Sequence, residues 1–239
     1  MEHLEPILFI DIETATLTNE FSELPEGLQA QWVRKSNVLL ARSGEEKEPA
    51  DFYKDKAGIF AEFGKVVCIG LGCYMKEDGQ WKFMLKSLTD NDEKKLLDTF
   101  LQALAKFTAL NKQVRFCGHN IREFDIPFLC RRMIIHGMDL PKPFQLHGMK
   151  PWENPHIDTL ELWRFGDYKH YTTLALLAES LGIPSPKDDI DGSMVSSVYW
   201  RENDLERIGK YCLKDVLTTA KIFLRLKGID HVDAVEEYL

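Results

Sequence analysis

The segment "PILFIDIET", Pro6–Thr14, decides how the chain reads. Five of its nine residues are Ile, Leu or Phe, which marks a strand bound for a core. Ile7 and Phe9 share one strand face with Asp11 and Glu13, while Leu8, Ile10 and Ile12 line the other. A strand apolar on both faces is a central one, covered on both sides. Its end nevertheless carries two acids on one face, with Cα atoms roughly 6–7 Å apart. Two unpaired carboxylates repel each other, and each loses hydration on burial. Either Asp11 and Glu13 lie past the buried part and cap the next segment, or they offer hard oxygen ligands to a cation at the end of a central strand.

The segments that follow supply the rest of an α/β domain. "KVVCIGLGCYM" and "WKFMLKSL" read as two strands, and the Asp78-Gly79 step between them is a hairpin signal. "NDEKKLLDTFLQALAKF" has apolar residues at helical spacing, and "VRFCGHN" is a short strand. "FDIPFLCRRMIIHG" is a helix with Pro127 in its first turn and Gly137 past its end. Asp158 and Glu161 have capping-box spacing, "TTLALLAESLG" is a helix closed by Gly182, and "PSPKDDIDGS" is a loop. A last helix runs from about Asp204 to Lys227, where Gly228 stops it. The order predicts a single domain over 1–239, with a long insertion at about 15–63.

Composition bounds the function. The 239 residues carry a net charge of −8, which alone argues against a general nucleic-acid binder. It leaves open an enzyme that meets phosphate through divalent cations held by its own acids. The longest apolar run is about ten residues, against the ~20 of a membrane span, so no membrane is expected as a partner. The five cysteines lack paired spacing and read as reduced core thiols of a cytoplasmic protein.

Two further acids stand in special positions. The apolar stripe of the last helix, Leu205, Ile208, Cys212, Thr219, Ile222 and Leu226, includes position 215, which is Asp215. Tyr211 lies one turn before it on the same face, so a Tyr–Asp hydrogen bond and a third carboxylate for a metal are both open readings. Asp125 precedes Pro127 by two residues and follows a predicted strand; an N-cap and a site carboxylate are both open there.

Taken together, these pieces resemble the DEDD 3′–5′ exonucleases. "FIDIET" resembles the D-x-E first motif, "NIREFD" (Asn120–Asp125) the second, and "YCLKD" (Tyr211–Asp215) the Y-x-x-x-D third motif of the tyrosine subclass, DEDDy. The histidine subclass would place His at position 210, which is Lys210. "KAGIFAEFGKVVCIG", "CGHNIREFDIPFL", "HIDTLELWRFGDYK" and "IPSPKDDIDGS" are similar to blocks of predicted stand-alone exonucleases related to the proofreading domain of family B DNA polymerases.

The resemblance implies an RNase H-like (ribonuclease H-like) α/β fold: a mixed sheet of about five strands, one antiparallel, with helices on both faces. It implies hydrolysis of terminal phosphodiester bonds of single-stranded nucleic acid, DNA favoured over RNA, with release of nucleoside 5′-monophosphates. Two divalent cations, Mg²⁺ or Mn²⁺, would be held by Asp11, Glu13, Asp125 and Asp215, Asp11 bridging the two. Tyr211 would orient the attacking water, and Thr14, Asn120 and Phe124 would touch the 3′-terminal nucleotide. Trp152, Trp163, Phe165, Tyr168 and Tyr171, with nearby cations, suit a single-strand track or, equally, helix packing. His119 reads as structural, and the sequence names no protein partner. A nuclease-like fold kept as a non-catalytic binding module is the competing reading; a chain that retains all four acids disfavours it.

Overall fold

A computed structural model describes residues 4, 6–111, 113–184, 190–229 and 232–239. The opening segment forms β1 (Ile7–Thr16), followed by α1 (Glu26–Ser43) and α2 (Pro49–Lys56). Next come β2 (Gly64–Glu77), β3 (Gln80–Thr89), α3 (Glu93–Leu110), β4 (Arg115–Gly118) and α4 (Asp125–Ile135). The chain ends with β5 (Ile157–Asp158), α5 (Thr159–Arg164), α6 (Leu174–Ser180), α7 (Val195–Ser197), α8 (Leu205–Leu226) and β6 (Ala234–Tyr238).

The strands make one sheet in the order β5-β4-β1-β2-β3-β6. β2 runs antiparallel to β1 and β3, and the other pairs are parallel, so the mixed sheet with one reversed strand is present. The Asp78-Gly79 turn has φ of 49° and 84°, the left-handed pair that a two-residue hairpin requires. The sheet has six strands rather than about five. "AVEEY" of β6 is mostly exposed and joins the edge by pairing with β3, a backbone interaction that leaves little side-chain pattern to read.

β1 divides the core as its alternation predicts. Leu8, Ile10 and Ile12 pack with Leu97, Phe100, Phe128 and Leu129 of α3 and α4. Ile7 and Phe9 pack on the other face with Phe83, Val216, Ala220 and Phe223 under α8. The stretch expected as a long connection is largely helical and buries its own aromatic cluster. Trp32 is fully enclosed, 5.1 Å from Phe63 and 5.5 Å from Tyr53 between ring centroids, and its indole N–H donates to Pro49 O at 2.7 Å. Much of the "PSPKDDIDGS" loop lies outside the described residues. All five cysteines are free thiols, and no described helix is long and apolar enough to cross a membrane.

Candidate active site

Asp11 and Glu13 sit near the middle of β1, opposite Gly70 and Cys68 of β2. The register slips immediately afterwards, so Thr14 pairs with Val66 and Val67 is the extra residue of a β-bulge. α8 lies closely on this face because β2 offers glycines. A Cβ on Gly70 would stand 2.7 Å from Cys212 Sγ and 2.9 Å from Val216 Cγ2. A Cβ on Gly72 would stand 2.7 Å from Val216 Cγ1. The Cys212 thiol consequently reaches Asp11, lying 3.4 Å from both its Oδ2 and its carbonyl oxygen. Ligand-capable atoms of Asp11, Glu13 and Cys212 all fall within 4.8 Å of one another.

Asp215 and Asp125 flank this group. In α8 it is Val216 that sits deepest against the glycines, and Asp215 stands beside it, accepting a hydrogen bond from the Tyr211 hydroxyl. Asp125 is not the N-cap of α4. It is the helix's first residue, and its Oδ1 accepts the Ile12 N–H at 3.1 Å, beyond the end of β4. The third motif and the second thus reach β1 from different directions.

The electrostatics fit a cation-binding pocket. Burial and then the charges of Asp125 and Asp215 push Asp11 well above the usual carboxylate range. Burial followed by Asp11 does the same to Glu13, to which Cys68, Asp215 and Asp125 add. Burial raises Asp125 to about 7, despite stabilising hydrogen bonds from the backbone N–H groups of Ile12 and Asp125 itself. No Lys or Arg figures among the main influences on these three acids. Burial, then Asp215, Glu13 and Asp11, raise Tyr211 far above an ordinary phenol, so it remains a hydrogen-bond donor. The donor set is oxygen-rich, and Asp11 and Glu13 in it are raised by their acidic neighbours; such a set fits hard divalent cations.

The loop that leads to Asp125 is held by a residue that spacing marked only as a cap. Buried Asp158 does cap α5, accepting from Leu160 and Glu161 N–H, but it also accepts from Asn120 and Arg122 N–H at 3.0 and 3.1 Å. Glu161 turns to an ion pair with Arg122 rather than closing a capping box. Asn120 adopts φ 62°, and its buried Oδ1 has no hydrogen-bond partner among the described residues. Phe124 is half-buried, 5.6 Å from the Phe128 ring. Thr14 lies just past the bulge, partly exposed.

The His119 ring nitrogens engage Thr159 Oγ1 at 2.9 Å and Thr172 O at 2.8 Å, so both are occupied within the protein. The aromatic run divides. Trp163 packs inward with Leu177 and Ile222, whereas Trp152, Phe165, Tyr168 and Tyr171 are exposed, Phe165 by 88%. Phe165 is also left-handed at φ 45°, and Tyr171 lies close enough to Asp125 for that charge to raise it after burial.

Sheet order and the reversed β2 define the class of fold: RNase H-like. The structure of the family B DNA polymerase from the hyperthermophilic archaeon Pyrobaculum calidifontis superposes with a TM-score of 0.54 at 15% identity, over 92% of this chain and 24% of that one. The chain thus spans about a quarter of that polymerase. It belongs to the family described as predicted 3′-5′ exonucleases related to the exonuclease domain of PolB, which matches residues 60–238. That range contains Asn120, Asp125, Tyr211 and Asp215; Asp11 and Glu13 precede it. No curated protein sequence matches the chain.

Proposed function

We propose that the protein is a metal-dependent 3′–5′ exonuclease acting on single-stranded nucleic acid, with DNA favoured. The observation that carries the reading is the mutual proximity of Asp11, Glu13, Asp125 and Asp215: burial and the charges of the neighbouring acids make Asp11 and Glu13 weaker acids, and burial does the same to Asp125. Asp11, Glu13, Asp125 and Asp215 are the residues that would hold divalent cations, Mg²⁺ or Mn²⁺. Bound there, the cations would supply Lewis acidity for an attacking water and for the departing 3′ oxygen.

The chain's own groups do the positioning. Tyr211, protonated and bonded to Asp215, orients the attacking water through its hydroxyl and does not act as a base. Asp125, fixed by the Ile12 N–H, holds its carboxylate on the leaving-group side. Asn120 offers its unsatisfied Oδ1 to a sugar hydroxyl of the terminal nucleotide. Thr14 and the exposed edge of Phe124 flank that nucleotide. The exposed Phe165, Tyr168 and Tyr171 supply faces on which unpaired bases stack, which favours a single strand over a duplex. The likeness to a DNA polymerase inclines the sugar choice to deoxyribose.

The test is digestion of matched DNA and RNA oligomers, single- and double-stranded, with Mg²⁺ or Mn²⁺, resolved at nucleotide steps. A ladder shortening from the 3′ end is expected, abolished by Asp11→Ala and by Asp215→Ala. Near-wild-type degradation by either variant would place the chemistry elsewhere.

A further inference from the structure

A cavity of about 400 Å³ lies beyond the end of β1, between the 17–63 segment and the 190–202 segment. We infer that this groove holds the sugar-phosphate backbone of the single strand upstream of the nucleotide being removed. The inference rests on the nuclease reading and names a subsite for it.

Charge is the first argument. Lys47, Lys54, Lys56 and Arg201 line the groove against two carboxylates, Glu45 and Asp55. A local excess of cations is notable in a chain whose net charge is −8, and a polyanionic backbone is the ligand it suits. Lys47 pairs with Asp55 at 2.8 Å and Lys54 with Glu20 at 2.7 Å, but both pairs are exposed and exchange readily for phosphate. Lys56 and Arg201 join no ion pair among the described residues.

Position is the second argument. Thr16, on the groove wall, ends the strand that carries the acids and lies three residues past Glu13, about 10 Å along it at ~3.3 Å per residue. At ~3.4 Å per stacked nucleotide, that distance corresponds to about three nucleotides. The wall is braced: the Trp200 indole N–H donates to Thr16 O at 3.2 Å and to Thr16 Oγ1 at 3.0 Å, and Ser196 Oγ accepts the Thr16 N–H at 3.2 Å. Trp200 itself lines the groove and offers a ring to a base. Lys47, Lys54 and Lys56 come from the segment that follows the strand carrying Asp11 and Glu13, so the same stretch of chain leads from the acids to this wall.

The test uses the full chain in EDTA, where no strand is cut. Fluorescence anisotropy measures binding of fluorescein-labelled single-stranded DNA of 12 and of 2 nucleotides, over a range of salt. Lys56→Ala/Arg201→Ala should weaken 12-mer binding about tenfold and lower the salt slope by roughly 1.4, at ~0.7 per phosphate contact on a single strand. Dinucleotide hydrolysis with Mn²⁺ should not change, because a dinucleotide cannot span to the groove. Lys56→Glu/Arg201→Glu should lose more affinity at an unchanged melting temperature. An unchanged 12-mer affinity and salt slope, or no 12-mer binding by the wild type, overturns the groove. If the wild type degrades strands while the double variant binds as it does, the groove alone is wrong. If the wild type binds through these residues but cuts nothing, the nuclease reading is what fails.

Discussion

Replacing Gly70 by Ala tests whether close packing of α8 on the sheet is what brings Asp215 to Asp11. The added methyl would meet Cys212 Sγ at 2.7 Å, Val216 Cγ2 at 2.9 Å and the Cys212 carbonyl oxygen at 3.3 Å. Backbone is among those neighbours, so the helix has to shift. Overpacking of this kind costs about 1–3 kcal/mol. The loss of a strand glycine returns about 0.5–1 kcal/mol, so the middle of the overpacking range leaves a net cost of about 1–2 kcal/mol. For a chain of this size that lowers Tm by roughly 2–8 °C, at ~2–4 °C per kcal/mol. Activity should suffer more than stability, since a misplacement near 1 Å costs up to about 10²-fold in rate. Gly72→Ala, two residues further along β2, is the comparison: the three atoms nearest its methyl all belong to the side chains of Phe83 and Val216. It should lower Tm similarly while keeping most activity. Cys212→Ala added to Gly70→Ala removes the nearest atom and should recover part of both losses. Calorimetry and single-turnover digestion give the two readings. Gly70→Ala with full activity per folded molecule would refute the idea that this contact sets the site.

Three other outcomes follow from the same geometry. Tyr211→Phe should slow strand cleavage by roughly 10–100-fold while leaving Mn²⁺ affinity, read by calorimetric titration, unchanged. Asp125 titrates near 7 when folded and near 3.8 when unfolded, so the folded chain holds the extra proton between those values. Stability in EDTA should therefore fall as pH rises from about 4 to 7. Asp125→Asn should reduce that fall, the remainder coming from the raised Asp11 and Glu13, and Mg²⁺ should stabilise the wild type more at pH 8 than at pH 5. Buried Glu93 has the opposite sense: despite burial, Arg132 and His136 hold it below its ordinary value, so its contribution is present above pH ~4.5 and lost as pH drops through the lowered value. Arg132→Met should cost about 3–5 kcal/mol in urea unfolding at pH 7, because it leaves that carboxylate without its main partner; a cost under ~1 kcal/mol would dismiss the network.

What could be read beforehand was whatever side-chain pattern alone determines. β1 is apolar on both faces, and it lies between α8 and the α3–α4 layer. Asp78-Gly79 requires a left-handed turn, and the hairpin is there. Asp11, Glu13 and Asp215 stood out because each broke an apolar pattern, and Asp125 because it opens a helix just after a strand. β6 was hidden because it pairs through backbone, and the helical insertion because Trp32 and Tyr53 are 21 positions apart and meet only on folding. Asp158 looked like one helix cap, because nothing local says that Asn120 and Arg122 would also donate to it. Cys212 looked like core, which it is, but the glycine opposite also brings it against Asp11.

Strand residues that repel one another persist only where surrounding structure leaves them no alternative arrangement. Here the constraint comes from outside the pocket. Glu93 accepts the Val66 N–H at 2.7 Å, and Val66 is the residue facing Thr14 across the bulge. Arg132 joins Glu93 at 2.9 Å through Nε and reaches Ala61 O at 2.8 Å, while His136 meets Glu93 at 2.8 Å. One buried carboxylate therefore ties α3, α4, the end of the insertion and the start of β2 around the bulge. It has the guanidinium that is missing from the main influences on Asp11 and Glu13. The contrast separates two settings of the same chemistry: the acid that meets Arg132 and His136 braces the fold, and the acids of β1 fit the cations of the proposed function.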